Sequence, residues 1–129
     1  MSLPVLAEPI MALEKVMQDM PQAWHHTDHH FAGGIYARVL HVAAGTVFTG
    51  ALHRTEFFAM LASGRVRCRD SNGLEVELVG PFLAVSQPGT KRAFFVLEDA
   101  VFINFHRTDL TDPDAIESEI TAETFEDIT

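Results

Sequence analysis

Residues 65–79 read Arg-Val-Arg-Cys-Arg-Asp-Ser-Asn-Gly-Leu-Glu-Val-Glu-Leu-Val, and this stretch decides the fold class. Arg65, Arg67 and Arg69 alternate with Val66 and Cys68. Beyond Ser71-Asn72-Gly73, Leu74, Val76 and Leu78 alternate with Glu75 and Glu77. Successive side chains on a strand point to opposite faces, so a period of two means one wet face and one dry face. Ser-Asn-Gly is turn chemistry. The segment therefore predicts an antiparallel hairpin with Val66, Cys68, Val76 and Leu78 inward. Closing the arms sets arginines across from glutamates, which favours this register.

Further short strands flank the hairpin. On its C-terminal side, Phe82 to Val85 reads as a strand and Pro88-Gly89 as a tight turn. Ala93 to Val96 and Ala100 to His106 read as two more strands, with Glu98-Asp99 turning between them. On its N-terminal side, Phe57 to Leu61 is a short strand that Gly64 turns. Ile35 to Val42 is β-prone, and both of its parities carry apolar residues: Tyr36, Arg38, Leu40 and Val42 on one, Ile35, Ala37, Val39 and His41 on the other. At least part of each face must then be covered. Trp24 to Phe31, polar and rich in histidine, reads as a loop leading into that strand. Short strands broken by glycine turns mean a sandwich or a barrel, and periodicity does not choose between them.

The ends carry a different period. Ile10, Leu13, Val16, Met17 and Met20 recur at steps of three and four, so a helix is expected from about Glu8, with Pro9 in its first turn and Pro21 at its stop. At the other end Asp112 is placed to cap a helix with Pro113 first, Ile116 and Ile120 forming its apolar stripe. The expected division is a helix and histidine-rich lead-in over 1–30, a β-barrel over 31–108, and an acidic helix and tail over 109–129.

Composition excludes several functions. The 129 residues are 47% apolar and include ten Phe, enough for one folded core. Eighteen acidic against nine basic residues give a formal charge of −9. Such a surface repels phosphate, so nucleic acid is not an expected partner. No apolar run approaches the roughly 20 residues of a membrane span. No leader-like segment opens the chain, and its one cysteine, Cys68, forms no intrachain disulfide, so a reducing, cytoplasmic setting is expected. On the apolar parity, Cys68 reads as a small buried hydrophobe.

The turn spacing carries a resemblance. Gly45-Thr46-Val47-Phe48-Thr49-Gly50-Ala51-Leu52-His53, then Glu56 and Gly64, followed by Gly80 and Pro88-Gly89, resembles the two cupin motifs. That resemblance implies an all-β, double-stranded β-helix, or jelly-roll barrel. Pro88-Gly89-Thr90-Lys91-Arg92 followed by Leu97-Glu98-Asp99, with His30-Phe31 to Arg38 and Ile103 to His106, is similar to a family of small cupin-like proteins encoded by tailed phages and prophages. The resemblance covers about Leu13 to Ile120. It implies an accessory or assembly protein, in the host cytoplasm if phage-encoded, with a phage protein as partner.

Many cupins hold a metal through two histidines and a glutamate of the first motif and a histidine of the second. Aligned on Gly64, those positions hold Ala51, His53, Phe57 and Arg92, with Glu56 one residue early. One ligand of four stands in register, and a stable site needs about three. No cofactor is therefore expected. The alternative is a rebuilt divalent site (zinc, iron or manganese) drawn from His53, Glu56, His41 and His106. His25, His26, His29 and His30 form a second cluster, read as adventitious metal affinity. Lys91 and Arg92 supply two cationic donors for a small anion. The candidate ligand-binding set is His53, Glu56, Lys91, Arg92 and His106, with Glu56 or a bound anion neutralising Arg92. No nucleophile motif, P-loop or dinucleotide fingerprint is present, so no reaction is assigned.

Two functions follow as expectations. One is the non-enzymatic accessory role, with the barrel as a rigid scaffold. The other is a small-molecule enzyme or binding protein, with or without a metal. A homodimer or larger homo-oligomer is expected, because barrels with exposed sheet edges or faces bury them by pairing.

Overall fold

The structure is a computed structural model and describes residues 25–70 and 73–122. The expected N-terminal helix, the Ser71-Asn72 part of the hairpin turn and the acidic tail lie outside the described residues. Among the described residues, nine strands and one helix follow in order: β1 (His25–Ala32), β2 (Ile35–Val42), β3 (Val47–Thr49), β4 (Leu52–His53), β5 (Phe57–Asp70), β6 (Glu75–Val79), β7 (Phe82–Ser86), β8 (Arg92–Arg107), α1 (Pro113–Ile120) and β9 (Thr121–Ala122). Among the described residues, seven of the strands form one antiparallel sheet in the order β1-β2-β8-β5-β6, with β3 on β8 and β7 on β5; β4 and β9 form a small second ladder.

The hairpin has the predicted register. Val66 faces Leu78, Arg67 faces Glu77, Cys68 faces Val76 and Arg69 faces Glu75. Val66 is fully buried, and Cys68 is buried too. Arg65 reaches diagonally to Glu77 at 3.8 Å and across to Glu98 at 3.7 Å. At half-exposed positions such pairs contribute less than about 1 kcal/mol each. Apolar alternation, not charge, therefore holds the register.

Two expected turns are bends instead. Phe57 to Asp70 is one strand of 14 residues, and Arg92 to Arg107 is one of 16. The first half of β5 pairs with the second half of β8, and the remaining halves pair with each other. Register shifts between Leu61 and Val66 change the inward parity of β5 from Phe57, Ala59 and Leu61 to Val66, Cys68 and Asp70. A bulge does this by inserting an extra residue and sharpening the bend. In the sequence, the lost parity looks like a chain reversal. Gly64 sits at the corner with φ +95, and a Cβ there would lie 2.4 Å from the Asp99 carbonyl oxygen and 2.7 Å from Ala100 Cα. Both long strands bend where they touch.

The bends divide the sheet into two halves, β1-β2-β8-β5-β7 and β3-β8-β5-β6, which share one interior. The core at the bends is Val42, Leu61, Val66, Val96 and Ala100. The C-terminal helix begins at Pro113 as expected; Asp112 stands at its cap position without a side-chain hydrogen bond. Its buried Ile116 and Ile120 pack on Tyr36 and close one end of the barrel. Among the described residues no helix is long and apolar enough to cross a membrane.

The histidine-rich lead-in is also corrected. His25 to Ala32 is a strand, paired residue for residue with β2 as an edge. Backbone pairing to a neighbour makes it a strand, and polar residues on both faces of an edge leave no period for the sequence to display.

Candidate functional site

Between the halves lies a cavity of about 680 Å³. Alternation decides which side chains enter it. From β2 come Tyr36, Arg38 and Leu40; from β8 come Arg92, Phe94, Phe102, Asn104 and His106; from β5 and β7 come Phe57, Ala59, Ala84 and Ser86; His53 enters from β4. Phe48, Phe94 and Phe102 form a wall of three rings, with centroids 5.0 to 5.2 Å apart.

At the α1 end, His53 and His106 stack at 5.1 Å, and Phe57 lies 4.3 Å from the first ring and 4.5 Å from the second. His53 is placed by the β4–β9 ladder, where it faces Thr121, and its carbonyl accepts the Gly89 N–H at 3.1 Å. Burial lowers the His53 imidazole to a pKa of about 4, with further lowering by His106, Arg38 and Lys91; a hydrogen bond to the Ala51 backbone acts the other way. Burial, and then Arg38, lowers His106 likewise to about 4. Both rings are neutral at pH 7. His106 is 3% exposed, and among the described residues its Nδ1 has no hydrogen-bond partner.

The other residues singled out from the sequence disperse. Glu56 is exposed and does not line the cavity. Arg92 does line it, and its Nη1 donates to Ser86 Oγ at 2.9 Å rather than to Glu56. Lys91 is buried, its Nζ donating to the Gly50 carbonyl at 2.7 Å. His41 lies on the parity opposite Tyr36 and Arg38, so it faces the outside. There the Nε2–H groups of His26 and His41 donate to the two oxygens of Asp28, at 2.7 and 3.2 Å. The hydrogen bond from His26, ahead of that from His41, holds the exposed Asp28 carboxyl below its ordinary 3.8. Cys68 borders the cavity, and burial pushes its thiol up to about 11, which keeps it protonated and inert.

A cupin-type metal does not fit these residues. His53 and His106 are two ligands, Phe57 holds the place of the carboxylate, and Glu56 and His41 point elsewhere. No three His, Cys, Asp or Glu side chains among the described residues are placed to hold an ion. Arg38, within electrostatic reach of both rings, also opposes a cation there.

Sequence reasoning missed Arg38, Tyr36 and Asn104. Their signal was present: an arginine between Tyr36 and Leu40 on one parity of β2. Because both parities of that strand are largely apolar, the alternation did not say which one faced inward.

No family model and no curated protein matches the chain. Solved structures do. A cupin superfamily protein from Desulfitobacterium hafniense superposes with a TM-score of 0.56 at 8% identity, over 70% of this chain and 84% of that one. KdgF from a Halomonas species gives 0.55 at 16% identity, over 76% and 88%. HppE, in its iron(II) form with the alternative substrate (S)-1-HPP, gives 0.53 at 12% identity, over 64% of this chain and 49% of that one. At such identities the likeness is one of fold, and the fold of this chain is the cupin-type jelly roll.

Proposed function

We propose that this chain is a small-molecule-binding barrel that works without a metal, its site being the cavity between the two sheet halves. The observation that carries this reading is the cavity itself. Eight-stranded and similar small barrels have interiors that side chains fill unless a ligand is to be held. This interior keeps about 680 Å³ open and lines it with aromatic walls and a few convergent polar groups, as ligand sites do. A barrel serving only as a rigid scaffold has no use for that volume. The phage-type assembly role implied by the sequence resemblance finds no feature of the interior in its favour. Catalysis is not part of the proposal: the thiol is protonated, and the two imidazoles lack an oriented nucleophile beside them.

The test is a thermal-shift screen of small organic compounds, neutral and charged, on the wild-type chain and on Ala59→Phe, which fills the cavity from β5. A ligand at about a hundred times its Kd stabilises the folded state by about 2.7 kcal/mol, a rise of several degrees in Tm. Compounds that raise Tm in the wild type and not in the filled variant support the reading. An absence of hits, or equal shifts in both proteins, overturns it.

A further inference from the structure

We infer that Arg38, with the imidazoles of His53 and His106 beside it, receives a carboxylate, so that the cavity takes small monocarboxylic acids whose apolar body rests on Phe48, Phe94 and Phe102. The inference deepens the cavity reading above and rests on it.

The three cations near the cavity are not equivalent. Arg92 donates to Ser86 and Lys91 to the Gly50 carbonyl. Arg38 makes neither a hydrogen bond nor an ion pair with any described residue, although it lines the cavity and is only partly exposed. A guanidinium keeps its charge at any pH a protein tolerates. Enclosing one without a counter-charge costs free energy unless something else supplies the charge.

Its surroundings say what that something is. Arg38 faces Asn104 across the β2–β8 ladder and His29 across the β1–β2 ladder. It lies two residues along β2 from Tyr36, whose ring stacks on His106 at 6.3 Å, and it lines the same cavity as His53 and His106, both of which feel its field. Nδ1 of His106, at the same end, is a buried polar atom without a partner among the described residues, and buried polar atoms in proteins are almost always paired. One planar group with two acceptor oxygens answers both needs: it takes the guanidinium fork with its two oxygens and a ring N–H with a remaining lone pair.

Charge limits the choice further. Asp70, Asp114 and Glu117 also border the cavity, so a multiply charged anion such as phosphate meets repulsion that a single carboxylate largely escapes. Beyond Arg38 the wall turns apolar through Leu40 to the three phenylalanines, which suits an aromatic or branched hydrocarbon body.

The experiment compares 3-phenylpropanoate with its uncharged isostere, 3-phenylpropanamide, by isothermal titration. The wild-type chain is expected to bind the acid at least about tenfold more tightly than the amide. Arg38→Met should remove that preference, and Arg92→Met should retain it. Equal affinity of the wild type for acid and amide overturns the carboxylate assignment while leaving the cavity reading intact, and it needs no variant. A preference that survives Arg38→Met and disappears in Arg92→Met moves the charge to Arg92 and overturns the inference too. If neither compound binds, and the screen on wild type and Ala59→Phe is also blank, the cavity reading itself has failed.

Discussion

His53 and His106 gain their chemical character from position alone. Each has an ordinary imidazole pKa of 6.5 that burial takes to about 4. The unfolded chain therefore takes up protons at a higher pH than the folded one. Above about pH 7 neither state binds these protons and stability does not depend on them. As pH falls from 6.5 towards 4 the unfolded state gains them first, and stability is lost. The two rings together should cost roughly 4 kcal/mol by about pH 5. Urea denaturation at a series of pH values should show that acid limb. His106→Phe should flatten it by about half, and an unchanged limb in that variant would exclude the pair as its source. His53 was visible in the sequence because it stands in register with a motif. His106, 53 residues on, stands with it in the candidate set, but their ring stacking and shared burial were not legible, because they depend on how β4 and β8 come together.

Strands β5 and β8 are the elements that make the barrel, and each does so by bending rather than turning. Gly64 is required at their crossing for two reasons: its φ of +95 and the absence of a Cβ that would strike Asp99 and Ala100. Gly45 has a similar φ of +86, but a Cβ there would meet nothing within 4 Å. The pair separates the two effects. Gly45→Ala should cost about 1 kcal/mol, the conformational penalty alone. Gly64→Ala should cost roughly 2–4 kcal/mol, since backbone on both strands must move. Urea midpoints at constant m-value measure both, and equal losses would mean that the corner is not tightly packed. The sequence displayed the hairpin arms of β5 and β6 because one face is wet and one dry. It hid the continuity of β5 because the bulge shifts parity at the corner.

The outer surfaces of the two sheet halves differ in kind. The half containing β6 presents Arg65, Arg67, Arg69, Glu75 and Glu77, which stand among the exposed Val47, Val79 and Phe95. The other half presents Phe58, Leu83 and Val85, which are 52%, 56% and 47% exposed, beside Ile103 and Phe105 of β8 and Val39 of β2. An apolar sheet face of this breadth marks an interaction surface. We expect a second copy of the chain to cover it. Two molecules of charge −9 repel one another over most of their surface, whereas this face is mainly apolar, with the Asp28 carboxylate at its β1 side held by His26 and His41. Light scattering at micromolar concentration should give a mass of twice 14.3 kDa. The double variant Phe58→Ser, Leu83→Lys should fall to a single mass with its strand content unchanged. A wild-type mass near 14.3 kDa would overturn the pairing.

What the amino-acid order determined by itself is whatever is local and periodic. Alternation dictated the β5–β6 hairpin and its inward residues, the Asp-Pro start and the isoleucine stripe specified α1, and the motif spacing pointed to the jelly roll. These depend on neighbours a few residues apart, whose facing follows from backbone geometry alone. What only the tertiary structure decided is which parity of β2 faces in, and with it the site. That choice depends on where β8, β5 and α1 come to lie, and on which cation finds a partner there. Arg92 finds Ser86, Lys91 finds a carbonyl, and Arg38 is left facing the cavity, because electrostatic pairing is settled by distances that pass between strands and not along them.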